Sequence, residues 1–493
     1  MNDGDNNNQW KTLDKDLNRI SQFEYATQYV SRPLVGLGVA LAFIVIAALG
    51  AGVFFGQTPT SFVVIMAAAF GAYMAINIGA NDVANNMGPA VGANALTMGG
   101  AIVIAALFES AGALLAGGDV VSTISKGIID PTGMTEGRIF IWAMMAALIS
   151  SALWVNLATW VGAPVSTTHS VVGGVMGAGI AAAGFAAVNW PTMGKIAASW
   201  VISPVLGGVV AAAFLAFIKA KIIYQDDKIA AAKRWVPVLI GIMAAAFGAY
   251  LSIKGLKRII KIDLGTALLI GAAAGAIGYA IAAPLVAKQA QGLENRTKSL
   301  KVLFALPLIF SAALLSFAHG ANDVANAVGP LAAIVHAEQF GDFAAKVSIP
   351  MWVMVIGAFG ISFGLVLFGP KLIRMVGSQI TKLNPMRAYC VALSAAITVI
   401  VASWLGLPVS STHIAVGGVF GVGFYREAHM ERRLRKSAAS RPEAKRIAPE
   451  ERRRRKLVRR SHFMTIVAAW VITVPAAALM SAVIFHLLNA IVG

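Results

Sequence analysis

The chain has 493 residues, 58% of them hydrophobic and only 13% charged, with a mean hydropathy of +0.74 and a formal net charge of +18. That balance excludes a soluble globular domain. Apolar runs of roughly twenty residues, each enough for a helix to cross the hydrocarbon core, recur without ten-residue alternation, which excludes a β-barrel. The single cysteine, Cys390, excludes an intramolecular disulfide and a Cys-based metal site.

Residues 1–33 are polar and mixed in charge (Lys11, Asp14, Lys15, Asp16, Arg19, Glu24), unlike the short basic start of a cleaved signal peptide. Residues 34–60 add an N-terminal span beginning at Leu34. Apolar segments then continue near 61–90, 95–117, 138–162, 164–186, 194–219, 235–253, 263–287, 301–334, 347–369, 385–406, 408–425 and 463–490. The expected fold is an all-α polytopic membrane protein of about 12–13 transmembrane helices. It divides into a first transport repeat at 61–219, linking helices at 220–300, and a second repeat at 301–493 that carries a basic loop at 426–462.

From Arg426 to Arg460 there are fifteen Lys or Arg against five Glu, a net of +10 out of the whole chain's +18. The positive-inside rule makes this loop cytoplasmic, with the N-terminus, the stretch Lys219 to Arg234 and the stretch Lys371 to Arg387 on the same side. The protein is therefore expected in a bacterial-type inner membrane. Anionic lipid head groups are the alternative partner for so basic a loop; nucleic acid is not expected, because a multi-span protein holds the loop at the membrane. One loop breaks the pattern: Lys254, Lys257, Arg258 and Lys261 fall outside.

A duplication is legible by eye. Gly79-Ala80-Asn81-Asp82-Val83-Ala84-Asn85 returns as Gly320-Ala321-Asn322-Asp323-Val324-Ala325-Asn326, 241 residues later, and Gly88-Pro89 returns as Gly329-Pro330. Pro164-Val165-Ser166-Thr167-Thr168-His169 with Gly173-Gly174 returns as Pro408-Val409-Ser410-Ser411-Thr412-His413 with Gly417-Gly418, 244 residues later. A looser match joins Trp200-Val201-Ile202-Ser203-Pro204 to Trp470-Val471-Ile472-Thr473-Val474. The loop before Trp200 is nearly uncharged and the stretch after it is basic, whereas the very basic loop precedes Trp470, so the two helices run in opposite directions. That marks an inverted-topology repeat with interrupted helices and a site near the midplane.

Asn-Asp-x-x-Asn between Gly and Pro, inside apolar sequence, implies helices interrupted at membrane depth, where irregular backbone must line a polar cavity or be buried in protein. Helix N-termini at such breaks suit an oxyanion, and the amides of Asn81, Asn85, Asn322 and Asn326 with the hydroxyls of Ser166, Thr167, Thr168, Ser410, Ser411 and Thr412 add donors. Asp82, Asp323 and Glu109 lie in apolar segments without Lys or Arg, so a metal cation, a proton or a protonated substrate oxygen is their natural partner. Phosphate near neutral pH carries a hydroxyl that can donate to a carboxylate and sulfate carries none, so the aspartate pair favours phosphate. Against these roles stand plain ones. The aspartates could be helix caps, the hydroxyls could bond back to their own helices, and His169 and His413 could serve only as interhelical hydrogen-bonding residues.

At these two motif pairs the chain resembles the inorganic phosphate transporter (PiT) family, over about Phe62 to Leu488. The resemblance implies a secondary active transporter that takes up phosphate by symport with sodium or protons through alternating access. It also implies a homodimer in which Asn81, Asp82, Asn85, Ser166 and Thr167, with Asn322, Asp323, Asn326, Ser410 and Ser411, line the phosphate and cation sites. No cofactor is expected beyond the coupled cation, for which Asp82, Asp323 and Glu109 are the candidates. Glu109 falls opposite Ile361 in the second repeat, so a symmetric pair of glutamates is incomplete and the choice between sodium and proton stays open. Sulfate or another tetrahedral oxyanion is the alternative cargo. A passive anion channel would more often show a ring of Lys or Arg, and an enzyme would need a nucleophile and base that the scattered histidines do not supply.

Overall fold

A computed structural model describes residues 34–55, 61–130, 134, 137–161, 165–255, 262–341, 347, 349–379, 383–440 and 460–492. The N-terminal segment 1–33, Pro164, the cations Lys257, Arg258 and Lys261, much of the basic loop and the side chain of Trp470 lie outside them. Among the described residues the structure is helical, and its one extended pairing is an isolated bridge between Ile129 and Val188.

Helix starts follow the sequence chemistry. After α1 (Leu34–Phe55), α2 (Ser61–Asn81) and α3 (Val83–Gly92), Thr97 caps α4 (Met98–Ala116) by accepting from Gly100 N. A short α5 (Gly118–Ser122) runs into a π-turn, Thr123–Gly127, and α6 (Gly137–Val161) follows. Ser166 caps α7 (Thr167–Ala183), Asn189 caps α8 (Trp190–Ile218), Asp227 caps α9 (Lys228–Lys254) and Asp263 caps α10 (Leu264–Gln289). Each is a short polar side chain placed immediately before an apolar run, where its oxygen takes an otherwise unsatisfied N–H. The second repeat comprises the single turn α11 (Leu300–Leu303), α12 (Ala305–Asp323), α13 (Ala325–Phe340), α14 (Met351–Gln379), α15 (Pro385–Trp404, capped by Asn384), α16 (Ser411–Ser440) and α17 (Arg460–Val492). Among the described residues eleven helical stretches are long and apolar enough to cross a membrane. With α7 and α16, which return from α6 and α15 as hairpins, they correspond to the apolar segments of the sequence.

The two repeats interlock. α4 packs on α12 and α14 on α2, while α7 packs on α17 and α16 on α8, so each repeat lends helices to the other. The register is symmetric. A Cβ at Gly320 would lie 2.1 Å from the carbonyl oxygen of Glu109, and one at Gly79 would lie 1.8 Å from that of Ile361. Only glycine admits so close a crossing. These contacts also set Glu109 and Ile361 at equivalent places, as the sequence alignment of the repeats expects. The looser Trp200/Trp470 match is carried by backbone: Gly173 abuts Val474 and Gly417 abuts Pro204. On the axis between repeats, the hydroxyls of Ser110 and Ser362 meet at 2.7 Å.

Candidate functional site

Asp82 and Asp323 mark the two hitches, between α2 and α3 and at the end of α12. Both are buried. The hitch is narrower than the Gly/Pro-flanked motif suggests. Asp82 keeps helical dihedrals, its N–H reaches Ile78 O at 2.9 Å, and its carbonyl already accepts from Asn85 N at 3.0 Å. The N-termini that open within the span belong instead to α7 and α16. Leu407–Ser410 lie outside regular structure ahead of α16, as Val165 and the extended Ser166 do ahead of α7, and Ser166 and Ser410 then cap the N–H of His169 and His413 at 3.2 and 3.4 Å.

The two motif pairs are brought together. Thr167 Oγ1 lies 2.6 Å from Asp82 Oδ2 and 3.3 Å from Asp323 Oδ2, so one hydroxyl spans both carboxylates. Thr412 Oγ1 donates to Asp82 Oδ1 at 3.2 Å and accepts from Asn85 Nδ2 at 2.8 Å. Asn326 Nδ2 reaches Thr167 Oγ1 at 3.1 Å and Thr168 Oγ1 at 3.2 Å, the equivalent contact across the repeats. Asn81 and Asn322 stand further back and brace the hairpins: Asn81 Nδ2 donates to Thr159 Oγ1 at 2.8 Å and Asn322 Nδ2 to Ser403 Oγ at 3.0 Å. Asn322 also clamps the connection before α16, donating to Leu407 O at 3.1 Å and accepting from Val409 N at 3.2 Å. Ser166 and Ser410 act as caps. Among the described residues, Ser411 Oγ, Asp323 Oδ1 and Asn326 Oδ1 are buried with no hydrogen-bond partner. All three are hard oxygens of the second repeat, of the type an alkali cation takes up.

Glu109 is set one step away from the aspartates. Its carboxylate accepts from Asn86 Nδ2 at 2.8 Å and meets His319 Nδ1 at 2.6 Å, and the other ring nitrogen of His319 lies 3.3 Å from Asp323 Oδ2. Oxygens of Asp82 and Asp323 and a ring nitrogen of His319 all lie within 4.8 Å of one another. The polar trio Asn86, Glu109 and His319 has no polar counterpart: the equivalent positions are Ala327, Ile361 and Ile78. Sequence reasoning missed His319, although a repeat mismatch one residue before a shared motif is a signal that could have found it. The rings of His169 and His413 lie tilted by 44° with centroids 4.6 Å apart, and His169 also lies tilted against Trp200, whose indole N–H donates to Pro408 O at 3.1 Å.

Interlocked inverted repeats around a buried pair of aspartates, framed by paired amides and hydroxyls, define a polytopic membrane transporter for a small polar solute. The profile of the phosphate transporter family matches residues 78–481, and the chain belongs to that family. A relative from Helicobacter pylori, named "Putative phosphate permease", is 45% identical over 95% of this chain and 98% of its own. One of the same designation from Pyrococcus furiosus is 35% identical over 87% and 97%. A solved structure described as the sodium-dependent phosphate transporter superposes with a TM-score of 0.77 at 34% identity, covering 87% of this chain and 100% of that one.

Proposed function

We propose that the protein imports inorganic phosphate across a bacterial-type inner membrane by symport with sodium, through alternating access, with its N-terminus and basic loop cytoplasmic. The observation that carries this is Thr167, whose single hydroxyl joins Asp82 and Asp323 in a setting where the surrounding segments hold no Lys or Arg. Two carboxylates so placed repel one another and an incoming anion unless a cation is bound, which makes cargo and cation obligatory partners. A phosphate hydroxyl can donate to one aspartate, while the amides and hydroxyls around it donate to the remaining oxygens. Ser411 Oγ, Asp323 Oδ1 and Asn326 Oδ1 supply hard ligands for sodium. The sodium dependence of the structural relative points the same way. Proton coupling is the second reading, favoured by one feature, the His319 ring between Glu109 and Asp323. The protein acts in this account as a carrier rather than an enzyme.

Titration calorimetry of the purified protein with phosphate tests the proposal. Binding is expected in sodium chloride, absent in choline chloride, and stripped of its sodium dependence in Asp323→Asn. Equal binding in both salts would sink the sodium assignment.

A further inference from the structure

The linking helix α9 ends on Lys254, the first cation of the loop that disobeys the positive-inside pattern. α9 begins within the basic stretch Lys219 to Arg234, at Lys228, and rises for 27 residues. Its end therefore lies about 40 Å away, at the opposite face of the membrane. There the Lys254 ammonium pairs with the carboxylate of Asp119, and it also donates to Trp404 O at 3.3 Å. The lysine side chain is only 11% exposed and the aspartate's 36%, so the pair is partly buried and still open to screening on its acidic side.

Trp404 ends α15, and the connection that follows leads straight into the site. Gly406 turns it in the left-handed conformation (φ 68°), and its carbonyl accepts from Thr123 Oγ1 at 2.7 Å. Leu407 and Val409 are then held by Asn322, beside Asp323, and Ser410, Ser411 and Thr412 open α16. The connection is thus fastened on its outer side by Lys254 and Thr123 and on its inner side by the transport site. Opening α16 toward this face requires the outer fastenings to part.

The residues of this fastening are not repeated in the sequence of the other half. In the register that equates Gly112 with Gly364 and Gly117 with Gly369, Asp119 corresponds to Lys371 and Thr123 to Met375. A lysine cannot replace the aspartate as acceptor for an ammonium, so the opposite face has no equivalent latch from these positions.

We infer that Lys254 is a positioning residue for transport, whose ammonium, shared between Asp119 and Trp404, holds the α15–α16 connection closed at the face opposite the basic loop. Its release is a step of the cycle at that face alone. This rests on the alternating-access proposal above, and it accounts for a cation that topology disfavours.

The test is labelling of Leu407→Cys, in a Cys390→Ala background, by a membrane-impermeant maleimide applied to proteoliposomes from either face. Asp119→Asn and Lys254→Met should each speed labelling from the face opposite the basic loop by at least about threefold and leave the other face unchanged. The exchange Asp119→Lys with Lys254→Asp should return the rate toward its starting value. In protein with Lys254 and Asp119 intact, choline chloride, which screens a partly exposed pair, should also speed labelling from that face. This last arm does not depend on the folding of any charge variant. Equal rates throughout, or an exchange no slower than the single variants, would overturn the latch. Labelling needs no phosphate gradient, so that failure is separable from failure of sodium-driven uptake, which would fall on the symport proposal alone.

Discussion

Replacing Gly320 by alanine probes the crossing that joins the repeats. The added Cβ would stand 2.1 Å from Glu109 O, 2.8 Å from its carbonyl carbon and 2.9 Å from its Cα, against an ordinary contact of 3.4–4 Å. All three atoms are backbone within α4, so no side chain can turn aside, and α4 and α12 must part by about 1 Å. Overpacking of that kind costs roughly 1–3 kcal/mol. The strain falls on Glu109 itself, so the 2.6 Å contact with His319 is disturbed as well. Gly79→Ala makes the mirror test, with Ile361 O at 1.8 Å. Gly99→Ala and Gly194→Ala serve as controls, since nothing lies within 4 Å of either new Cβ. The apparent melting temperature of the purified proteins in one detergent should fall by several degrees for the two crossing variants. For the controls it should hold or rise, because alanine favours the helix. A Gly320→Ala protein as stable and as active as its parent would refute the close interlocking of the repeats.

Other expectations concern the site. Thr167→Val removes the donor that spans Asp82 and Asp323 and leaves a buried carboxylate oxygen short of a partner, so stability should drop by about 1–3 kcal/mol in denaturation and phosphate uptake should collapse. Ser411→Ala removes a hydroxyl without a hydrogen-bond partner, so the melting temperature should barely move while the sodium concentration for half-maximal uptake rises; a large loss of stability would instead mark Ser411 as structural. Sulfate at tenfold excess should leave labelled phosphate uptake nearly intact if Asp82 or Asp323 accepts from a phosphate hydroxyl, and strong competition would contradict that selectivity.

Much of this was legible in the chain. The paired Gly-Ala-Asn-Asp-x-x-Asn and Pro-Val-Ser-x-Thr-His blocks placed the carboxylates, amides and hydroxyls that the fold draws together, because duplication separates constrained residues from apolar filler. Segment starts read from hydropathy alone, 194 and 235, fall inside helices that begin at Trp190 and Lys228, because the polar first turns after the caps Asn189 and Asp227 are helical too. The width of the interruption was not legible: Gly and Pro near Asp82 read as a break, yet the backbone loses only one residue of regular helix there. Nor were Thr159 and Ser403, which support Asn81 and Asn322, since lone hydroxyls in apolar helices usually bond to their own backbone. The Lys254 pairing with Asp119 joins residues 135 apart, and only tertiary structure could supply it.

The central claim is that phosphate movement is driven by a cation bound with it between the two aspartates. Proteoliposomes of the purified protein, loaded with phosphate and given labelled phosphate outside, test it most directly under an inward sodium gradient and, separately, under an inward proton gradient. The account predicts accumulation above equilibrium with the sodium gradient and loss of that accumulation in Asp82→Asn. Equilibration without accumulation under both gradients, or undiminished accumulation by Asp82→Asn, would contradict it.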